Sequence, residues 1–362
     1  MAYFKNIKLS NFRNFKDLNL DFSKKCNVFY GSNGCGKTNL LEAISIFSKG
    51  RGLRKDKIFN FIKKNEESFS NDANVIDKNI EYELNTFSEV KNNKFQKKIK
   101  LNGEISSEVN NKIQSLITFL IYIPENERLF IASPTTRRNL FDHFIFSYSP
   151  KHNSLLNFYK KNIIERNIIL NNNVTDQIWL EKIEADIAKS GMEIYEQRIK
   201  QSDIFEKNLQ LINEYLAIPF KVNIQINDSF FNSRTTLDQY KYTLKKNREI
   251  DQIIGGTKTG PHKSDTIFYI DQNYPASQLS TGQQKTLVLL LYFAQCNYLV
   301  NYCKKKPILL LDEINSHLDD FNIQLLLKII QHFEIQVFMT GTKKELFSFL
   351  STNTNFYNIS KK

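Results

Sequence analysis

Residues 26–38 read Cys26-Asn-Val-Phe-Tyr-Gly31-Ser32-Asn33-Gly34-Cys35-Gly36-Lys37-Thr38. The first five form a short apolar run of the length of a buried strand. The next eight fit Gly-x-x-x-x-Gly-Lys-Ser/Thr without a gap. Beyond them, residues 39–48 place Leu40, Leu41, Ile44 and Phe47 on one helical face. Strand, glycine-rich turn and helix together are the context in which this motif cradles phosphate. The glycines let backbone N–H groups converge, and the helix start adds the positive end of its dipole. Lys37 supplies a point charge for β- and γ-phosphates, and Thr38 a hydroxyl for Mg²⁺. Gly31, Ser32, Asn33, Gly34, Cys35, Gly36, Lys37 and Thr38 are therefore the expected ATP-holding residues. Cys35 lies at a helix N-terminus, a place that favours reactive thiolates. A small filler whose backbone alone is used is the simpler reading.

A phosphate cradle of this kind needs a metal ligand, and the sequence offers one far downstream. Pro307-Ile-Leu-Leu-Leu-Asp312-Glu313 is a continuous apolar run ending in two acids. Such runs are buried parallel strands, and ligands gather at the carboxyl ends of those strands. Asp312 is expected to complete the Mg²⁺ shell that Thr38 begins, and Glu313 to activate the attacking water. An acidic pair merely capping a surface strand is the alternative.

A second anion-binding feature follows the same logic. Gln278-Leu-Ser280-Thr-Gly282-Gln-Gln284-Lys opens a strongly apolar helix running to about residue 298. Ser280 and Gly282 thus sit at a helix N-terminus, where N-capping and anion binding use the same geometry. The stretch resembles the signature of the ABC and SMC ATPases. That resemblance implies that Ser280 and Gly282 cover the γ-phosphate held by a partner copy's cradle, making Ser280 catalytic alongside Lys37 and Glu313. Ser316-His-Leu-Asp319 resembles the segment that touches its twin across such a dimer. Phe338-Met-Thr340-Gly-Thr342 stands where transport ATPases carry a switch histidine.

Between these motifs the chain alternates in character. Residues 4–22 read as two strands around a turn at 11–14. Strand-like pieces recur at 80–87, 95–101, 116–123, 222–226, 266–270 and 336–340. Residues 135–216 turn helical, with Leu180, Ile183, Ile187 and Ile194 on one stripe. The expectation is an α/β fold, with an ATPase head built from residues 1–134 and 251–362. A mainly helical lobe, residues 135–250, is inserted between them.

The chain's 362 residues are 41% hydrophobic and 13% aromatic, ample for a large core and unlike a disordered segment. Its 50 Lys+Arg against 38 Asp+Glu give a net charge of +12, which suits a polyanion such as DNA. A lysine-rich solvated surface gives the same count. The N-terminus lacks the apolar core of a signal peptide. The longest apolar run, 287–294, falls far short of the roughly 18 residues of a membrane span. The four cysteines show no CxxC pair and no zinc spacing. A reduced, cytoplasmic protein is the expectation.

Several stretches in order resemble the RecF family. They are Leu9-Ser-Asn-Phe-Arg13-Asn-Phe, residues 31–42, Gly50-Arg-Gly-Leu-Arg54, Ile123-Pro-Glu125, Pro134-Thr-Thr-Arg137-Arg138, Gly260-Pro-His262-Lys-Ser-Asp265 and residues 279–285. The resemblance implies an ABC/SMC-type P-loop ATPase head and an ATP-dependent homodimer on duplex DNA and single-strand/duplex junctions. It also implies weak, DNA-stimulated hydrolysis acting as a switch, and work with RecO and RecR to load RecA at gaps. Arg13 is a candidate nucleotide contact or a surface turn residue. Arg51, Arg54, Lys55 and Lys57 form a basic run that either meets DNA or faces solvent.

Other readings fit less of the chain. Roughly 240 residues separate Thr38 from Ser280, more than an ordinary loop insertion and more than transporter ATPases use. An SMC protein fills that gap with long heptads, which do not persist here. An overcoming-lysogenisation nuclease needs a further metal-binding domain, and only about fifty residues follow Glu313. A P-loop kinase leaves Ser280 without a purpose. An interaction module that binds ATP without turnover is the remaining class.

Overall fold

The apolar run before Asp312 forms a strand whose four residues are all buried, the pattern of a strand covered on both faces. In chain order the elements are β1 (Tyr3–Phe12), β2 (Phe15–Asp21), β3 (Cys26–Tyr30), α1 (Lys37–Ser45), β4 (Ser70–Asp77), β5 (Ile80–Lys91), β6 (Lys94–Leu101), α2 (Ser107–Leu116), β7 (Phe119–Tyr122), α3 (Pro134–Tyr148), α4 (Lys151–Asn171), α5 (Gln177–Asn213), β8 (Val222–Asn227), α6 (Leu237–Lys246), α7 (Arg248–Ile254), β9 (Asp265–Ile270), β10 (Tyr274–Pro275), α8 (Thr281–Asn297), β11 (Ile308–Leu311), α9 (Asp320–Phe333), β12 (Val337–Gly341) and β13 (Asn355–Asn358). This computed structural model describes residues 2–48, 52–54, 56–91, 94–172, 176–214, 218, 220–271, 273–314 and 319–361. By contact density the chain divides into two units, residues 1–127 with 296–362, and residues 128–295.

The first unit holds two sheets. A parallel sheet has the order β13-β3-β12-β11-β7, and an antiparallel one the order β2-β1-β4-β5-β6. In β1 and β2, Phe4, Ile7, Leu9, Phe12, Phe15, Leu18 and Leu20 alternate inward, as a half-buried hairpin requires. Phe12 faces Phe15 across a tight turn in which Arg13 takes a left-handed φ of 56°. Leu40, Leu41, Ile44 and Phe47 pack in one core with residues of both sheets. Phe4 of β1 lies 5.6, 6.1 and 6.5 Å, ring to ring, from Phe47, Phe119 and Phe338. Gln336, fully buried before β12, accepts from the Phe4 N–H and donates to its carbonyl, each at 2.8 Å. One amide side chain thus satisfies backbone groups of the other sheet, as a buried amide must.

The second unit carries α3 to α8 and the small antiparallel sheet β10-β9-β8. The expected stripe on α5 is buried, packed with Leu156, Tyr159, Tyr240 and Leu244. Arg166 is fully buried. Its guanidinium reaches Glu184 at 3.0 Å, Asp251 at 2.7 Å, Thr257 at 2.9 Å and the Leu244 carbonyl at 2.7 Å. All its charge is met inside the lobe, the condition for burying a cation at all.

Sequence expectation and structure differ at particular places. The contact-based boundaries fall at 127/128 and 295/296, so residues 251–295 group with the helical unit. The α/β head does draw on both ends of the chain, because β3 pairs with β12 and β13. Helix α2 and strands β4 and β13 are additions to the elements expected from pattern, and the strand expected over 116–123 shortens to β7. Among the described residues no helix is long and apolar enough to cross a membrane.

Candidate active site

The carboxyl ends of the parallel strands bring the first unit's chemistry together. Strand β3 leads into the loop 31–36, β11 into Asp312, and β12 ends at Thr340 and Gly341. The Gly31 N–H donates to the Gly341 carbonyl at 3.3 Å, closing the loop against β12. Gly36 takes a φ of 108°, and a Cβ there would lie 2.5 Å from the Asn14 amide nitrogen. Only glycine fits both the backbone and the space. Asn14 in turn donates to the Cys35 carbonyl at 3.1 Å and accepts from Asn39 at 2.7 Å. The tight turn after β1 thus braces the cradle. Asn14 and Asn39 were not singled out from the sequence, where they look like ordinary turn and surface residues. Cys35 is half-buried against the core.

Lys37 is 5% exposed, and its ammonium donates to the carbonyls of Gly31 and Ser32 at 2.8 and 2.9 Å. No carboxylate among the described residues lies within ion-pair distance of it. Asp312 is also 5% exposed. Its carboxylate accepts from the Thr38 hydroxyl at 3.0 Å and from the Thr340 hydroxyl at 2.7 Å. Burial raises its pKa above the usual carboxylate value, against the lowering effect of those hydroxyls and of Arg54. The site therefore holds a buried ammonium met by carbonyls and a buried carboxylate met by hydroxyls and partly relieved by Arg54, an arrangement costly in isolation. A magnesium–triphosphate brings an anion to the first and a cation to the second, so the residues fit that group.

Glu313 follows at the strand end, exposed, with a φ of 50°. A non-glycine residue in that region is held there by its surroundings. Here its backbone N–H donates to Thr340 Oγ1 at 2.8 Å. Thr340 thus ties both acids to β12, a role invisible in the sequence, where it is one polar residue in a buried strand.

Arg13 is built into the fold. Its guanidinium lies 2.6 Å from Glu42, 2.9 Å from Asp56 and 5.0 Å above the Phe61 ring. Glu42, fully buried on α1, has its pKa raised by burial, which Arg13 opposes. Arg54 bonds Asn39 at 3.1 Å and Lys57 is exposed. Arg51, Lys55 and residues 316–318 lie outside the described residues. Asp319 caps α9, accepting from the Asn322 N–H at 2.8 Å.

The signature belongs to the second unit. The Gln283 N–H donates to Ser280 Oγ at 3.3 Å, and the Ser280 N–H donates to Gln283 Oε1 at 3.0 Å. This reciprocal box fixes the start of α8. Ser280 and Gly282 are exposed, and nothing stands within 4 Å of where a Gly282 Cβ would be. Behind the tip, Leu287–Ala294 is buried, which anchors an outward-facing helix end.

The remaining motifs hold the lobe. Arg137 grips Asp265 with two bonds of 2.8 Å, and Arg138 donates to the Ser264 carbonyl. His262 donates from Nε2 to the Thr257 carbonyl at 2.8 Å, so Nδ1 accepts from the Tyr159 hydroxyl at 2.7 Å. Burial lowers the His262 pKa.

Comparison with known proteins agrees with this architecture. Residues 3–362 match the RecF/RecN/SMC N-terminal domain. The DNA replication and repair protein RecF of Rickettsia prowazekii (strain Madrid E) is 33% identical over 341 residues, covering 93% of each chain. This chain belongs to the RecF family. The RecF of Rickettsia akari (strain Hartford) is 31% identical over 346 residues, 94% of each. Among solved structures, the recombination mediator protein RecF-ATPrS of the RecFOR pathway superposes on this RecF-family chain with a TM-score of 0.83. It is 27% identical and is matched over 99% of this chain and 97% of its own. An Smc head bound to the C-winged helix domain of ScpA, 16% identical with a TM-score of 0.54, shares the fold.

Proposed function

We propose that this chain is an ATP-dependent DNA-binding protein of recombinational repair and replication-fork maintenance, working in the cytoplasm. Two copies close on ATP and DNA, and slow, DNA-stimulated hydrolysis releases them. The dimer works with RecO and RecR to help load RecA at gaps. The observation carrying this reading is a buried ammonium, Lys37, held by backbone carbonyls, and a buried carboxylate, Asp312, held by hydroxyls, where the parallel strands end. Bound ATP supplies the phosphoryl group to be cleaved, and Mg²⁺ neutralises its charge. The amides of residues 31–38 and Lys37 bind the phosphates. Thr38 and Asp312 would hold the metal, and Glu313 would take the proton of the attacking water. Ser280 and Gly282 present the α8 tip to the phosphate held by the partner copy, a role supported by their exposure and by the capping box. Related RecF structures carry ATP and ATPrS in their names, and the net charge of +12 suits DNA.

The test combines an ATPase assay with sedimentation. Turnover is expected to be slow alone and faster with duplex, gapped or single-stranded DNA, the ranking giving the preferred structure. Lys37→Ala weakens ATP binding itself. Ser280→Arg keeps single-site binding and loses ATP-dependent pairing. A chain that stays monomeric at all ATP concentrations while hydrolysing at full rate sinks the shared-site reading. ATP binding without turnover, indifferent to DNA, favours an interaction module.

A further inference from the structure

Strand β13 lies beside β3 in parallel register, with Asn358 opposite Tyr30. Both chains leave the sheet at the same edge, and equal steps forward bring residue 360 alongside residue 32. Contacts follow from that register. The Ser32 N–H donates to Ser360 Oγ at 2.9 Å, and the two hydroxyls lie 3.3 Å apart. Ser360 is itself fixed. Its N–H donates to Asn358 Oδ1 at 3.1 Å, and Ile359 is 1% exposed in the first unit's core. Gly31 carries the imprint of the same neighbour, because a Cβ there would come within 2.5 Å of Ser360 Oγ.

Gly31 and Ser32 are the residues whose carbonyls hold the Lys37 ammonium. Whatever sets their peptide planes therefore sets the position of the cradle's cation. We propose that Ser360 is a positioning residue of the nucleotide site. Its hydroxyl acts through the Ser32 peptide to keep the loop open at the width that a phosphate chain requires. It touches neither phosphate nor metal. The interaction is a single neutral hydrogen bond, worth roughly two- to tenfold in an equilibrium constant. Preorganising a loop before the ligand arrives strengthens binding without speeding the chemical step.

This inference rests on the nucleotide reading of residues 31–38, and its test separates the two. Binding of ATP and ADP with Mg²⁺ is measured by calorimetry on the full chain, with KM and kcat alongside, for Ser360→Ala, Ser360→Thr and Lys37→Ala. The expected result is a roughly two- to tenfold weaker affinity and higher KM for Ser360→Ala, with kcat at saturation unchanged. Ser360→Thr, which keeps the hydroxyl, restores wild-type affinity. A purely structural role would lower the thermal midpoint and leave affinity and KM alone. Lys37→Ala losing binding while Ser360→Ala binds as the wild type does overturns the inference and leaves the site standing. Equal loss in Ser360→Ala and Ser360→Thr overturns it too, since the hydroxyl is then not the cause. If Lys37→Ala binds ATP normally, the site reading itself fails, and the inference with it.

Discussion

Thr340→Val is nearly isosteric and removes one hydroxyl from the first unit's interior. That hydroxyl donates to Asp312 at 2.7 Å and accepts from the Glu313 N–H at 2.8 Å. A hydrogen bond to a charged acceptor contributes about 1.5–3 kcal/mol, and an orphaned, partly buried N–H costs about 1 kcal/mol. The nucleotide-free protein should therefore lose roughly 3 kcal/mol. For a unit of this size that lowers the thermal midpoint by about 6–12 °C. The loss should also depend on pH. The folded-state pKa of Asp312 is raised, so its ionisation costs nothing below the ordinary carboxylate range, costs more as pH climbs above that range, and reaches its full cost above the folded-state pKa. Thr340 is one of the groups opposing the rise. Without it the charged form is more costly still, and the gap to wild type widens from pH 4 to pH 8. Thermal and urea denaturation across that range measure it, with Thr340→Ser expected to stay near wild type. A valine variant within 0.5 kcal/mol of wild type at pH 8, or a gap flat with pH, would refute the argument.

Arg13→Ala leaves the buried Glu42 carboxylate with the more distant Arg54 guanidinium at 3.8 Å and should cost about 3 kcal/mol, most of it recovered in Arg13→Ala/Glu42→Gln; chemical denaturation of both variants checks the pairing. Burial alone would raise the Asp142 pKa, yet Arg198 at 2.9 Å and His152 outweigh it and hold it at about 2. Its contribution is present above the unfolded pKa near 3.8 and vanishes as pH falls through about 2. Wild type and Asp142→Asn should converge in stability over that window, as acid-dependent urea melts will show. Neutralising Arg54 and Lys57 together should lower DNA affinity and flatten its salt dependence; fluorescence anisotropy over a salt series decides, and an unchanged slope removes them as phosphate contacts.

Motif and periodicity made the candidate site residues legible because each motif is local. A cradle, an acidic strand end and, in the other unit, a helix tip each announce themselves within eight residues. What escaped reading is what depends on distant partners. Strand β4 reads Ser-Asn-Asp-Ala-Asn-Val-Ile-Asp, and only Asn71, Ala73 and Val75 are buried, so polar residues mask the alternation. Strand β13 is four polar and aromatic residues, made a strand by its neighbour β3. Arg13 reads in sequence as a nucleotide contact or a surface turn residue, because its acids lie 29 and 43 residues on. Thr340 and Ser360 gain their meaning only when the parallel register sets them beside Asp312 and Ser32.

The strand order has a consequence for synthesis on the ribosome. Strand β3 emerges early, yet both of its sheet neighbours, β12 and β13, are translated roughly 300 residues later. At about 5–20 residues per second the gap lasts roughly 15–60 s. Throughout it Val28 and Phe29, fully buried in the finished protein, await strands that do not yet exist. Such long-range pairing is slow and leaves sticky edges open to other chains. Nascent polypeptides of this protein should accordingly be clients for chaperones that shield apolar segments until the final strands arrive.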